Sequence, residues 1–204
     1  MKKTIVFLAL LGASPALAHH PMGGAAPQTM FHGLLGGLAH PVIGIDHFAF
    51  VILVGLAAAF SGRMLAAPAA FIAATVAGTL VQLGGIVLPL AELVIAGSII
   101  GLGALLLMGR RLDGAASLAG FAAVGLFHGW AYGAAVIGSE PMPVLAYLAG
   151  FAGVQFVIAA GVAHLAARGL ATERGQMQTR LAAALCCGVG IAFAAETLEA
   201  MILT

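Results

Sequence analysis

Two histidines and one aspartate stand within eight residues in the stretch HPVIGIDH, at positions 40–47. Imidazole nitrogens and a carboxylate, without a thiolate, suit Ni²⁺, Co²⁺ or Zn²⁺ better than Cu⁺, which prefers sulfur. The stretch leads into an apolar run that continues to Phe60. Because an ionisable side chain inside a membrane costs about 2.5–3.5 kcal/mol, His40, Asp46 and His47 are candidate functional groups.

The helix that should position these groups determines how they can cooperate. Pro41 suits the first position of a helix, which predicts that His40 lies at a helix start. On one straight helix, His40 and His47 would share a face but lie about 10 Å apart along the axis. A second helix must therefore contribute, and the stretch FHGWAYG supplies His128, followed by Gly129, which permits close approach.

The composition identifies the environment of these residues. The chain has 204 residues, of which 62% are hydrophobic and 7% charged, and its mean hydropathy is +1.13. Soluble domains carry about 25% charged residues, so this is a polytopic membrane protein. The net charge of +1 gives no indication of nucleic-acid binding. The adjacent Cys186 and Cys187 resemble neither a disulfide framework nor a metal motif.

The N-terminal segment predicts export. Lys2 and Lys3, an apolar stretch and an A-x-A site ending at Ala18 are typical of a cleaved signal peptide over residues 1–18. An uncleaved anchor is the alternative, and it would leave the orientation unchanged. We expect a bacterial inner-membrane protein whose mature N-terminus is periplasmic, with residues 19–40 as a partly inserted periplasmic segment.

The rest of the chain predicts an all-α fold, a polytopic membrane helix bundle with six transmembrane helices across residues 41–204. A span needs roughly 20 apolar residues. The predicted spans are about 41–60, 65–83, 88–108, 115–137, 143–167 and 181–202.

The arginines support this topology. If the mature N-terminus is outside, all six arginines fall in the predicted cytoplasmic loops, as the positive-inside rule requires. They are Arg63, Arg110, Arg111, Arg168, Arg174 and Arg180. The C-terminus is then periplasmic as well.

Two short similarities suggest an internal repeat. Residues 44–47 read GIDH and residues 125–128 read GLFH, and a Val-Gln pair occurs at 81–82 and again at 154–155. Three spans followed by three would place the two halves in opposite orientations. Inverted repeats with a binding site at their interface are a recurrent transporter design.

The two histidine stretches also resemble the motifs of a known family. HPVIGIDH is similar to the H-x5-DH motif of the HupE/UreJ family of nickel or cobalt permeases, and FHGWAYG resembles its FHGxAxGxE motif. The resemblance implies that His40, Asp46, His47 and His128 take part in metal transport. It also implies a link to hydrogenase or urease maturation, with the metal as cargo and no tightly bound cofactor.

One departure from the family pattern bears on the site. The glutamate that ends the second motif is replaced, because Gly133 is followed by Ala134 and Ala135. Another carboxylate compensates for it, or the affinity and metal preference differ. We favour a helix–helix hydrogen bond for His164, while His19 and His20 either collect metal outside or reflect the cleavage site. The secondary candidates are Glu92, Glu140, His164, Glu196, His19 and His20.

These observations leave several functions open. We expect a permease that imports a divalent metal, nickel first and cobalt second. A non-transporting membrane assembly factor and a haem-binding electron-transfer subunit with two axial histidines are the alternatives. An intramembrane metalloenzyme ranks last because the sequence contains no HExxH motif, so we do not expect an enzyme.

Overall fold

The computed structural model describes residues 25–203, and their regular structure is entirely helical, with no strand. The predicted all-α fold is thereby confirmed. The predicted signal peptide, His19 and His20 lie outside the described residues. The seven α-helices are α1 (Met30–Ile43), α2 (Ile45–Ser61), α3 (Ala66–Leu83), α4 (Ala91–Leu107), α5 (Ala115–Gly133), α6 (Pro141–Gly169) and α7 (Glu173–Leu203), with a 3-10 turn at Ala134–Val136.

The helices have the length and composition of a membrane protein. Within the described residues, four helical segments are long and apolar enough to cross a bilayer, namely α3, α5 with its 3-10 turn, α6 and α7. The pair α1 and α2, bent by 78° at its break, would make a fifth span if it counts as one. Helix α4 is apolar but has only 17 residues. The count of six spans therefore stays a prediction.

The start of the first predicted span is different from our expectation. Helix α1 begins at Met30, where the Thr29 side chain accepts a hydrogen bond of 3.1 Å from the His32 backbone N–H. Pro41 lies inside this helix, so the prediction that a helix starts there was wrong. Proline removes a helix hydrogen bond but does not prevent a helix that is held by its neighbours.

The helix instead breaks at Gly44. This residue has an extended conformation, with φ −70° and ψ 94°. Its N–H still donates to the His40 carbonyl at 3.0 Å, and its own carbonyl accepts from the Phe48 N–H at 2.8 Å. Gly44 thus ends α1 and begins α2. The chain turns sharply there, and both helix ends keep a backbone hydrogen bond to Gly44.

The last predicted loop, at residues 168–180, is also shorter in the structure. Thr172 caps α7 by accepting a hydrogen bond of 3.1 Å from the Gly175 N–H, an arrangement that stabilises helix starts. Arg174 and Arg180 consequently lie in α7 rather than in a loop. The predicted span left out the first turns of α7 because their residues are polar.

Glycines allow three pairs of helices to pack closely. A Cβ at Gly129 of α5 would collide with the Thr75 carbonyl of α3, and one at Gly37 of α1 would collide with the Tyr147 carbonyl of α6. A Cβ at Gly190 of α7 would lie 2.9 Å from the Ile99 side chain of α4. Small residues permit the close contacts on which helix association in lipid depends.

The pairing pattern is consistent with the proposed repeat. Helix α3 packs on α5, α1 and α2 pack on α6, and α4 packs on α7. Exchanging the first three predicted spans with the last three maps these pairs onto one another. Helix α2 lies at the centre, with Val51, Leu53 and Val54 fully buried.

Candidate metal site

Three buried histidines form a row where α1, α2 and α5 meet. We call this set, together with Asp46, the donor row. His40 comes from α1, His47 from the first turn of α2 and His128 from α5, and their exposed fractions are 2%, 2% and 0%. The ring centroids of His40 and His47 are 5.9 Å apart, and those of His47 and His128 are 5.2 Å apart. The structure thus brings together the four residues that the sequence singled out.

The break at Gly44 explains why His40 lies beside His47. On the straight helix we expected, the two side chains would have been separated along the axis by about two turns. That expectation was wrong, because the residues belong to different helices that meet at 78°. A side chain at Gly44 would interfere with this approach, since its Cβ would lie 2.9 Å from the His47 Cδ2 atom.

The contact between His47 and His128 is direct. Their Nδ1 atoms are 3.0 Å apart, which is a hydrogen-bond distance. The approach of α5 depends on Gly129, whose carbonyl accepts a hydrogen bond of 2.8 Å from the Thr79 hydroxyl of α3. The ring centroid of Phe50 lies 4.5 Å from that of His128, so an aromatic side chain packs against this end of the row.

Asp46 is 1% exposed and lies in the first turn of α2. The helix N-terminus favours a negative charge there. Its Oδ2 atom is 3.9 Å from the His47 Nε2 atom, too long for a hydrogen bond. In a tetrahedral site with bonds of about 2.0–2.2 Å, two ligand atoms lie about 3.3–3.6 Å apart. The Asp46 and His47 side chains would therefore have to move slightly closer together to bind one cation.

Sequence reasoning assigned no role to two hydroxyls that contact the donor row. The Tyr147 hydroxyl of α6 lies 2.6 Å from the His40 Nδ1 atom. The Ser98 hydroxyl of α4 lies 3.2 Å from the His128 Nε2 atom. Each is a polar residue within an apolar segment, and that signal could have identified both.

The four secondary candidates within residues 25–203 are not buried in the row. Glu92, Glu140 and His164 are exposed, and Glu196 is half-buried. By contrast, Ala135, which occupies the glutamate position of the second motif, is 9% exposed and packs in a cluster with Tyr132, Tyr147 and Phe151. A carboxylate at this position would therefore enter the buried cluster beside His40.

The donor row does not form a closed cage. Across residues 25–203, no three His, Cys, Asp or Glu side chains are grouped so that they could hold a metal ion together. The arrangement offers neighbouring donors along a line, and the rings would have to turn for three of them to bind one ion.

Comparisons with known proteins place this chain in a family. A sequence model described as HupE / UreJ protein matches residues 7–193. Protein HupE of Rhizobium leguminosarum bv. viciae is 29% identical over 176 residues, which cover 83% of this chain and 86% of that protein. No solved structure matches. The match spans most of the chain, so the protein belongs to the HupE/UreJ family, a family associated with metal transport or accessory roles.

Proposed function

We propose that this protein imports a divalent transition metal, nickel first and cobalt second, across the bacterial inner membrane. The observation that carries the proposal is the donor row, in which His40, Asp46, His47 and His128 are buried together at the meeting of three helices. Buried ionisable groups in a membrane protein are costly and commonly line ion pathways. Imidazole and carboxylate donors match the chemistry of both metals.

The open arrangement of the donors supports transport over storage. A conduction path must bind its ion well enough to admit it and weakly enough to release it. An ion can move along the row between neighbouring donors such as Asp46 and His47, which are 3.9 Å apart. A closed site with three or four fixed ligands would retain it.

We further propose six spans with both mature ends in the periplasm. The bent pair α1 and α2 is the first span, and α4, with 17 residues, is a short third span near the lower limit of about 17 residues. All six arginines then lie at the cytoplasmic side, in agreement with the positive-inside rule. A cleaved signal peptide over residues 1–18 belongs to the same topology.

One observation favours the second candidate, a non-transporting assembly factor that holds metal for hydrogenase or urease maturation. Ala135 removes the carboxylate that the family motif carries next to the buried cluster. The spacing of His47 and His128 does not favour the haem alternative. Axial nitrogens on opposite sides of an iron lie about 4 Å apart, whereas the facing nitrogens of His47 and His128 are in contact at 3.0 Å.

The test is uptake of radioactive Ni²⁺ and Co²⁺ by cells that lack their own importers. We would compare the wild type with His47→Ala and His128→Ala at equal membrane expression, with His164→Ala as the matched control because His164 is exposed. The proposal expects a loss of at least about tenfold in the first two variants and none in the control. No uptake by well-expressed wild type would overturn it and favour the assembly factor.

A further inference from the structure

The two hydroxyls that contact the donor row can determine where its protons lie. A neutral imidazole carries its proton on one ring nitrogen and a lone pair on the other, and only the lone pair can bind metal. The partner of one nitrogen therefore decides which nitrogen can act as a ligand. A hydroxyl has a single proton, so its other contact shows which way that proton points.

At His40 the hydrogen bonds specify one tautomer. The Tyr147 hydroxyl donates to the backbone carbonyl of Tyr132 at 3.0 Å, since a carbonyl oxygen can only accept. The hydroxyl proton is used in that bond. In the contact of 2.6 Å with the His40 Nδ1 atom, the imidazole must therefore donate its own proton to the hydroxyl oxygen. His40 then carries its proton on Nδ1 and its lone pair on Nε2.

The same logic applies to His128. The Ser98 hydroxyl donates to the Ile95 carbonyl at 2.6 Å. Its contact of 3.2 Å with the His128 Nε2 atom therefore needs a proton on that nitrogen. The lone pair of His128 is then on Nδ1, the atom that faces His47.

The tautomer of His47 follows from that of His128. The two Nδ1 atoms are 3.0 Å apart, and one of them must donate. Since Nδ1 of His128 holds the lone pair, Nδ1 of His47 holds the proton. The lone pair of His47 is then on Nε2, the nitrogen that lies 3.9 Å from the Asp46 carboxylate.

We propose that Tyr147 and Ser98 are positioning residues that set the tautomers of the donor row. The lone pairs available to a metal ion are then on Nε2 of His40, Nε2 of His47 and Nδ1 of His128. In the metal-free protein the Nδ1 lone pair of His128 accepts the hydrogen bond from His47. The effect of these residues on transport rests on the proposed function, but the assignment of the tautomers is independent of it. Tyr147 and Ser98 come from α6 and α4, so five helices supply the row and its two positioning hydroxyls.

The direct test is ¹⁵N NMR of the metal-free, full-length protein with labelled histidine in lipid nanodiscs at pH 8, where imidazole is neutral. Protonated and lone-pair nitrogens give distinct signals, and single histidine variants assign each ring. We expect protonated Nδ1 in His40 and His47 and protonated Nε2 in His128. Tyr147→Phe should give His40 a mixture of tautomers, and Ser98→Ala should do the same for the pair formed by His47 and His128.

The matched controls separate positioning from loss of a buried hydroxyl. Tyr132→Phe removes a hydroxyl that contacts Gln155 at 3.4 Å, and it leaves the Tyr132 carbonyl in place. It should leave the tautomer of His40 unchanged. Ser98→Thr keeps a hydroxyl and should restore the signals that Ser98→Ala loses.

Uptake adds a functional readout. Tyr147→Phe and Ser98→Ala should raise KM for Ni²⁺ by about tenfold or more, in the range seen when partners of metal-binding histidines are removed, and Ser98→Thr should recover it. A wild-type His40 protonated on Nε2 would overturn the inference whatever the uptake. The expected tautomers in the wild type and the expected changes in the variants, in a protein that transports nothing, would support the positioning roles and overturn the proposed function.

Discussion

The rings of His40 and His47 lie 5.9 Å apart although the residues belong to different helices. The break at Gly44 creates this proximity, because the chain changes direction by 78° between the two residues. Gly44 itself packs tightly, and a Cβ there would lie 3.2 Å from the His40 carbonyl oxygen. The geometry of the site therefore depends on the absence of a side chain at one position.

We predict that Gly44→Ala raises KM for metal uptake several-fold, because the added methyl group would displace the His47 ring. Gly97→Ala is the control, since nothing lies within 4 Å of its added Cβ. Uptake kinetics at matched expression would measure both. A wild-type KM in Gly44→Ala would show that the break tolerates a side chain.

His47 and His128 should behave as one unit. Because their nitrogens contact each other at 3.0 Å, removing either ring disrupts the position of the other. The double variant His47→Ala/His128→Ala should therefore lose little more uptake than either single variant, since residues in contact are not additive. Independent, multiplicative losses would indicate that the two rings serve separate steps.

Gly129 should be essential for packing. A Cβ at this position would collide with the Thr75 backbone, whereas one at Gly120 of the same helix meets nothing within 4 Å. We expect Gly129→Ala to lower the free energy of unfolding by about 1–3 kcal/mol, the usual cost of overpacking. Thermal unfolding in detergent would measure it. Gly120→Ala should unfold at or slightly above the wild-type temperature, because alanine favours the helix more than glycine does. An equal loss in both variants would remove the steric explanation.

Ala135→Glu tests the missing carboxylate. Ala135 packs against Tyr132 and Tyr147, whereas Ala134 is exposed. We expect Ala135→Glu to lower KM for Ni²⁺ at least threefold, because a carboxylate beside the donor row attracts a cation. The variant should also be less stable, since a buried charge is costly. Ala134→Glu, the control, should change neither quantity, and an unchanged KM in Ala135→Glu would mean that the row needs no further acid.

The topology can be checked with reporter fusions. Alkaline phosphatase fused at Glu140 should be active in the periplasm, and a fluorescent protein fused at Thr172 should be active in the cytoplasm. A fusion at Leu112 tests α4, which has only 17 residues in the structure. Phosphatase activity at Leu112 would mean that α4 does not cross the membrane.

Apolar runs of roughly 20 residues were sufficient to predict a helical membrane protein, because a spanning helix needs a run of that length whereas a strand of a closed barrel needs only about 9–11 residues. The residue types at His40, Asp46, His47 and His128 also predicted metal chemistry, since buried ionisable groups are too costly to be incidental. These conclusions need only the local sequence, because they depend on the cost of placing each residue in lipid.

The distances between those residues required the tertiary structure. A sequence shows that Gly44 and Pro41 weaken a helix, but packing against α6 decides that α1 continues past the proline and ends at the glycine. The contacts of Tyr147 and Ser98 with the histidines join helices that are distant in the chain. Such contacts depend on how whole helices pack, and a local pattern of residue types carries no information about that packing.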